Sequence, residues 1–461
     1  MTQAETDYLR GGHVSMPSLS AIALAVSMLA LVACSSPVRD EVDLMPAPDV
    51  FGDGILNPLP EQAPMSLIPY GGLLYATDRM PATEGSIDPY YTNERGGVVR
   101  LGVARLSLHK AGIEWDEARD LSLLKDRPAR YPISVTGVEE YGILEDTIPG
   151  FGRREDYGED VLDGDEEFAR AVNAQLERSL RKDIYIYVHG YRVVFENPLL
   201  VATELWHFLG YDGVMVGYAW PSTPSRWAYL KDTDTSTGFA RNFRKFIEYL
   251  GENTNVHRIH IIAYSNGTQM VARATEQLAL MYHGATRDEI RADLRLGHLI
   301  LLASDLDREV FANYLADGVL NVPEHVAVYI SSKDSALSFA RRLTRRDRLG
   351  QLIEPGQMGP QARRLLADGR NHISLVDVSE AEGATLGKGH AYFRNSPWVS
   401  SDVLTTLAYG LAPEARGLVL KTDMPVYEFP PDYISRLWTA LAEIDPQFQR
   451  AYELRRNREL Q

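Results

Sequence analysis

A chain of 461 residues, 45% hydrophobic and 24% charged, can bury a large core, so the expectation is a soluble body with one large α/β domain plus additions. A formal net charge of −16 argues against a nucleic-acid partner, because binding phosphates requires a basic face. The single cysteine excludes an intrachain disulfide and any cysteine-based metal site.

Ala21 to Ala33 reads AIALAVSMLALVA, an uncharged apolar stretch. It is too short to cross about 30 Å of hydrocarbon as a helix, but it suits the apolar region of a signal peptide. It runs into Leu31-Val32-Ala33-Cys34, which resembles the lipobox of bacterial lipoproteins. A lipoprotein signal peptide is therefore expected over 1–33, with cleavage before Cys34 and lipidation, palmitate included, at that residue. Several acyl chains together give stable attachment where a single one does not. This resemblance implies a bacterial cell envelope location through an N-terminal lipid anchor. Ser35 and Ser36, where an Asp would favour retention, point to the outer membrane, facing the periplasm.

Residues 34–69 are proline-rich (Pro37, Pro46, Pro48, Pro58, Pro60, Pro64) and weakly periodic, as expected of an extended tether. Over 70–182 the short apolar runs GGLLYATDR, GVVRLGVARLSL and RYPISVTGV predict strands, an N-terminal β-rich extension that completes the edge of a larger sheet. The acidic stretch Asp156 to Glu167 lacks the order of an EF-hand calcium loop and reads as a solvated loop.

Over 183–400 apolar strands alternate with amphipathic helices, the pattern of a mostly parallel sheet covered on both faces. The strands are predicted at Ile184 to Gly190, Val214 to Trp220, Arg258 to Ser265, His298 to Ser304, His325 to Ser332 and Ile373 to Ser379. Phe239, Phe243, Phe246 and Leu250 share one helical stripe, and Val271, Thr275, Leu278 and Tyr282 another. Right-handed crossovers would bring all six carboxyl ends to one edge, where open α/β sheets place their sites. The basic run Arg341, Arg342, Arg345, Arg346, Arg348 reads as a solvated helix face paired with acidic neighbours. Residues 401–461 add helices at Leu404 to Tyr409 and Tyr433 to Ile444, then a charged terminus.

The third of these strands runs into Ala263-Tyr264-Ser265-Asn266-Gly267. A serine hydroxyl needs a base and an exposed position on a sharp strand-to-helix turn, with small neighbours for clearance. The stretch resembles the nucleophile elbow G-x-S-x-G of the α/β hydrolases, with Ala263 in place of the first glycine, and makes Ser265 the candidate nucleophile. His189-Gly190-Tyr191 closes the first of the six strands as the HG motif does in that superfamily. The resemblance implies that backbone N–H groups of Tyr191 and Asn266 form the oxyanion hole, with His189 bracing the loop.

In the chain order of this fold, an acid and then a histidine follow the serine. Asp334 lies just past HVAVYISS, and His390 lies in Gly389-His390-Ala391-Tyr392 on a loop beyond the last strand. Asp305 and Asp307 are the alternative acids, and His372, His257 and His260 the less well placed bases. Tyr218, Trp220, Trp227 and Tyr229 either line an apolar cleft or pack the core.

Tyr75-Ala76-Thr77-Asp78-Arg79, VHGY, AYSNGT, ASDLD with Val310-Phe311, YISSKDSAL and GHAY together resemble an uncharacterised bacterial family of α/β hydrolases, a domain of unknown function, over Leu73 to Tyr392. Members usually carry His before the serine and Met after it, where this chain has Tyr264 and Asn266. The resemblance implies an esterase- or lipase-like serine hydrolase working through an acyl-enzyme on an ester, thioester or amide. The expected substrate is a small-molecule or lipid-like acyl compound, with no cofactor or metal. The alternative is an envelope-anchored binding or structural lipoprotein that keeps the scaffold without turnover.

Overall fold

The computed structural model describes residues 41–109, 112–158, 163–354, 356 and 358–459. The expected signal peptide, Cys34 and the first part of the tether lie outside the described residues.

Among the described residues, twelve strands form one sheet. They are β1 (Glu41–Asp43), β2 (Leu73–Pro81), β3 (Tyr91–Leu108), β4 (Pro132–Ile143), β5 (Asp183–Val188), β6 (Val214–Ala219), β7 (Arg258–Tyr264), β8 (Leu296–Leu302), β9 (His325–Ile330), β10 (Ile373–Asp377), β11 (Val419–Leu420) and β12 (Tyr427–Glu428). Their order is β1-β4-β3-β2-β6-β5-β7-β8-β9-β10-β12-β11. All six strands predicted for the core are present and parallel, and β2 and β12 join them in the same sense. The carboxyl ends of β5 to β10 therefore emerge at one edge.

The helices that matter below are α1 (Asp165–Arg178), α2 (Glu196–Phe208), α3 (Tyr229–Gly238), α4 (Ala240–Asn253), α5 (Gly267–Met281), α6 (Arg308–Ala316), α7 (Ser335–Thr344), α8 (Pro397–Tyr409), α9 (Tyr433–Ile444) and α10 (Pro446–Glu459). Strands such as β5, DIYIYV, are buried at every position, because β-branched and aromatic side chains fill a sheet covered on both sides. On α4 the predicted stripe packs down: Phe243, Phe246 and Leu250 are fully buried, and Phe243 meets Tyr218 of β6 edge-on at 4.8 Å.

The N-terminal extension is the antiparallel set β2, β3 and β4, joined to the core where Leu74 of β2 pairs with Val216 of β6. Asp78, from the YATDR stretch, is buried there. Its carboxylate accepts hydrogen bonds from the Tyr218 hydroxyl at 2.5 Å and the Asn242 amide at 2.8 Å. Burial outweighs these two donors and pushes the Asp78 carboxyl up from 3.8 to about 7. The folded state thus holds a proton that the unfolded chain releases near pH 4. The stabilisation is complete at acidic pH and fades as pH rises through about 7, by a few kcal/mol at most. Wild type should lose melting temperature between pH 5 and 8 more steeply than Asp78→Asn; equal slopes would discard this assignment.

The expectation of a tether reaching Pro69 is corrected from Glu41 onward. β1 pairs with β4, and Val42, Leu44, Met45, Val50 and Phe51 are buried. The Met45 N–H donates to Glu204 of α2 at 2.7 Å, the Val50 N–H donates to Ser401 of α8 at 3.0 Å, and Phe51 stacks on Phe208 at 6.0 Å. The prolines shape this segment without freeing it: Pro64 opens the helical turn Pro64–Leu67, where a missing N–H costs nothing.

Two smaller corrections concern charge and length. Asp165, Glu166 and Glu167, expected in a loop, form the first turn of α1, where carboxylates favour the positive end of the helix dipole. The C-terminal region holds the two expected helices, one as the end of α8 and the other as α9, but also β11 and β12, which are too short to show a period. No helix among the described residues is long and apolar enough to cross a membrane.

Candidate active site

β7 ends at Tyr264 and α5 begins at Gly267, so the chain turns from strand to helix within two residues. Ser265 takes the turn at φ 52°, a left-handed conformation that costs a non-glycine residue about 1–3 kcal/mol. Backbone bonds hold it there: its N–H donates to Leu302 O at 2.9 Å, and its carbonyl accepts from Thr268 N at 3.2 Å and Asp305 N at 3.3 Å. The loop after β5 lies hard against this turn. A Cβ on Gly190 would sit 2.9 Å from Ser265 Cβ, and one on Gly267 would sit 2.2 Å from His189 O. Only glycine permits that approach on either side, which is the clearance the elbow motif requires.

Three side chains far apart in sequence converge at this point. His390 Nε2 lies 3.0 Å from Ser265 Oγ, and His390 Nδ1 lies 2.7 Å from Asp334 Oδ2. An ionised carboxylate only accepts, so Nδ1 carries the hydrogen and Nε2 is left free to accept from the serine hydroxyl. Asp334 is itself fixed as the N-cap of α7, its Oδ1 accepting from Leu337 N at 3.0 Å. Burial of the imidazole opposes its protonation, but the Asp334 carboxylate, aided by Asp305, outweighs that and holds the His390 pKa above 6.5.

The loop bearing His390 is pinned at several points. Gly387, Lys388 and Gly389 all have positive φ, and the Ser335 hydroxyl donates to Lys388 O at 3.1 Å. Just beyond, the buried Tyr392 hydroxyl accepts from Ala303 N at 2.5 Å and donates to Tyr329 O at 2.9 Å. These bonds tie the loop to the ends of β8 and β9.

The alternative acids and bases have other partners. Asp305 accepts from the Tyr229 hydroxyl at 2.9 Å and the Asn266 amide at 3.4 Å, with the Arg348 guanidinium 3.5 Å away. Burial raises its pKa. Asp307 caps α6 through Glu309 N at 2.8 Å. His372 precedes β10, at the opposite edge from Ser265, and His257 likewise precedes β7. The His260 ring stacks on Tyr185 and on His298, each at 5.4 Å, with Nε2 3.6 Å from Asp183.

Tyr191 and Asn266 supply backbone N–H groups on the two segments that meet at Ser265. His189 is buried beneath, stacked on Trp220 at 5.0 Å, while the Trp220 indole donates to His189 O at 2.7 Å. Burial and the nearby Arg79 charge push the His189 pKa well below 6.5, so the ring is a neutral brace. Two further residues hold the loop: Arg79 Nη2 donates to Val193 O at 3.0 Å, and Val193 N donates to Ser222 Oγ at 3.2 Å. The YATDR stretch drew attention to Arg79, but its role depends on a contact 114 residues away.

Of the four aromatic residues flagged near the cleft, Tyr218 and Trp220 are core, and Tyr229 is buried with its ring edge-on to Tyr191 at 5.6 Å. Trp227 is 69% exposed. Tyr264, at the position where the resembling family carries His, sits with its ring 5.1 Å from that of His390. Among the described residues there is no group of three or more His, Cys, Asp or Glu side chains able to hold a metal ion.

Comparison with known proteins agrees with the fold. No curated protein matches the chain. A family model described as "Alpha/beta hydrolase of unknown function (DUF900)" matches residues 165–407, which run from α1 to α8 and contain Ser265, Asp334 and His390. With more than half of its length matched, the chain belongs to this family of α/β hydrolases.

Proposed function

We propose that the protein is a serine hydrolase that cleaves a carboxylic ester, or the related thioester or amide, through an acyl-enzyme at Ser265. The observation that carries this reading is the unbroken hydrogen-bond chain Ser265–His390–Asp334, at 3.0 and 2.7 Å. As Ser265 Oγ attacks the substrate carbonyl, its proton passes to His390 Nε2, and Asp334 stabilises the imidazolium. The tetrahedral oxyanion is received by the N–H groups of Tyr191 and Asn266; one such donor contributes roughly 2.7–4 kcal/mol of transition-state stabilisation. The imidazolium then protonates the leaving group, and water, deprotonated by the same ring, releases the acid. Esters lead because they are the substrates this fold most often serves.

In the same reading Cys34 is acylated and tethers the enzyme in the bacterial envelope, at the outer membrane and facing the periplasm, so that lipid-like acyl substrates are within reach. The support is the apolar stretch ending in Leu31-Val32-Ala33-Cys34.

A fluorophosphonate probe tests the chemistry. Wild type should be labelled at one residue and Ser265→Ala not at all. A folded wild type that never labels would favour a non-catalytic envelope protein on this scaffold.

A further inference from the structure

α7 is capped by Asp334, the acid of the proposed triad, and leads away from it with an unusual outer face. Leu337 and Ala340 are buried, whereas Phe339 and Leu343, one turn apart, are 36% and 50% exposed. Interleaved with them are arginines. Arg341 pairs with Asp347 at 2.7 Å and Arg346 with Glu309 at 2.8 Å, but Arg342 and Arg345 have no ion pair among the described residues. A cavity of about 820 Å³ lies alongside, lined by five arginines against three carboxylates. The pairing with acidic neighbours expected for this run thus holds for Arg341, Arg346 and Arg348, and not for Arg342 and Arg345.

Other exposed apolar side chains belong to the same rim. Leu386, 59% exposed, sits on the His390 loop, which the Ser335–Lys388 bond joins to the start of α7. From the other end of α7, Thr344 bonds to Arg348, Arg348 pairs with Asp305, and Asp305 accepts from Tyr229, whose neighbours Trp227 and Leu230 are 69% and 66% exposed.

We infer that α7 and its arginine-lined cavity form a docking face for an anionic lipid surface. The guanidinium groups sit at the level of the headgroup phosphates, and Phe339 and Leu343 enter the boundary of the acyl chains. Charge complementarity argues for this occupant: Arg342 and Arg345, without an ion pair among the described residues, give this face a positive excess on a chain of net charge −16, so attraction to an anionic surface is confined to it. The paired apolar side chains separate it from a wholly acidic polypeptide, which would satisfy the arginines and leave Phe339 and Leu343 in water. Docking in this way turns the Ser265 edge toward the lipid. That last consequence rests on the hydrolase reading, and the docking itself does not.

Hydrogen exchange of the full chain tests the proposal locally, so that anything the N-terminal segment binds does not contribute. Amides of residues 335–346 should exchange more slowly on phosphatidylcholine vesicles containing phosphatidylglycerol, and not on pure phosphatidylcholine. The slowing should disappear in Arg342→Glu/Arg345→Glu and diminish in Phe339→Ser/Leu343→Ser. Both double variants should still be labelled at Ser265 by the fluorophosphonate, which separates a failure of docking from a failure of catalysis. Equal exchange on both vesicles, or slowing that survives the charge reversals, would overturn the proposal. So would polyglutamate that protects the segment as strongly as the anionic vesicles, with no effect of Phe339→Ser/Leu343→Ser; the face would then be one for an acidic protein.

Discussion

Replacement of His390 by alanine is expected to lower kcat for an activated ester by about a million-fold, close to the loss from Ser265→Ala, because neither residue acts without the other. Asp334→Ala should cost less, about ten-thousand-fold, since it orients and stabilises the imidazole without transferring the proton. The double variant His390→Ala/Asp334→Ala should then be no worse than His390→Ala alone. Activity should also depend on pH with a defined sign. His390 accepts a proton only when neutral, and Asp334 holds its pKa above 6.5, so kcat/KM should rise through a midpoint above 6.5. Asp334→Asn removes the opposing charge and should move that midpoint down. A loss of less than tenfold in His390→Ala would transfer the role of base to another group.

The second large effect concerns stability. Arg416 is buried at 2% exposure and grips Asp402 of α8 with two bonds, at 2.8 and 3.0 Å. Asp402 also accepts from the Tyr329 hydroxyl at 2.6 Å and the Tyr433 hydroxyl at 3.3 Å, joining β9, α8 and α9. Burial opposes the Arg416 charge, but the Asp402 carboxylate overcomes it and keeps the group above its usual range. Asp402→Ala strands a guanidinium and two phenols in the core, and should cost about 3–5 kcal/mol of unfolding free energy in urea titrations. Asp402→Ala/Arg416→Met should recover the part of that loss due to the stranded guanidinium, because an apolar side chain in its place avoids the desolvation penalty, while the two phenols stay unpaired. A single variant within about 1 kcal/mol of wild type would mean that water reaches this pair after all.

The parallel core was legible because strands such as β5 and β9 are buried on both faces and carry unbroken apolar runs between turn residues. The positions of Ser265, Asp334 and His390 could be named from chain order, although His390 lies 125 residues from the serine and 56 from the aspartate. What sequence could not supply was partnership. Asp305 and Asp334 occupy equivalent strand ends, and only the folded chain places Tyr229 and Arg348 against the first and His390 against the second. Composition misled at residues 41–69, where prolines masked apolar side chains such as Val42, Leu44, Val50 and Phe51 that need β4, α2 and α8 to cover them. β11 and β12, at two residues each, are below any period a sequence can display.

The seating of Val50 on Ser401 spans 351 residues, so most of the polypeptide must be made before the stretch around Val50 is fully fastened. A ribosome-bound or prematurely stopped chain that ends ahead of Pro397 would keep the β1–β4 pairing but leave the Val50 N–H without the Ser401 hydroxyl. This last fastening is a long-range step that is slow by nature and keeps incomplete copies open to proteolysis.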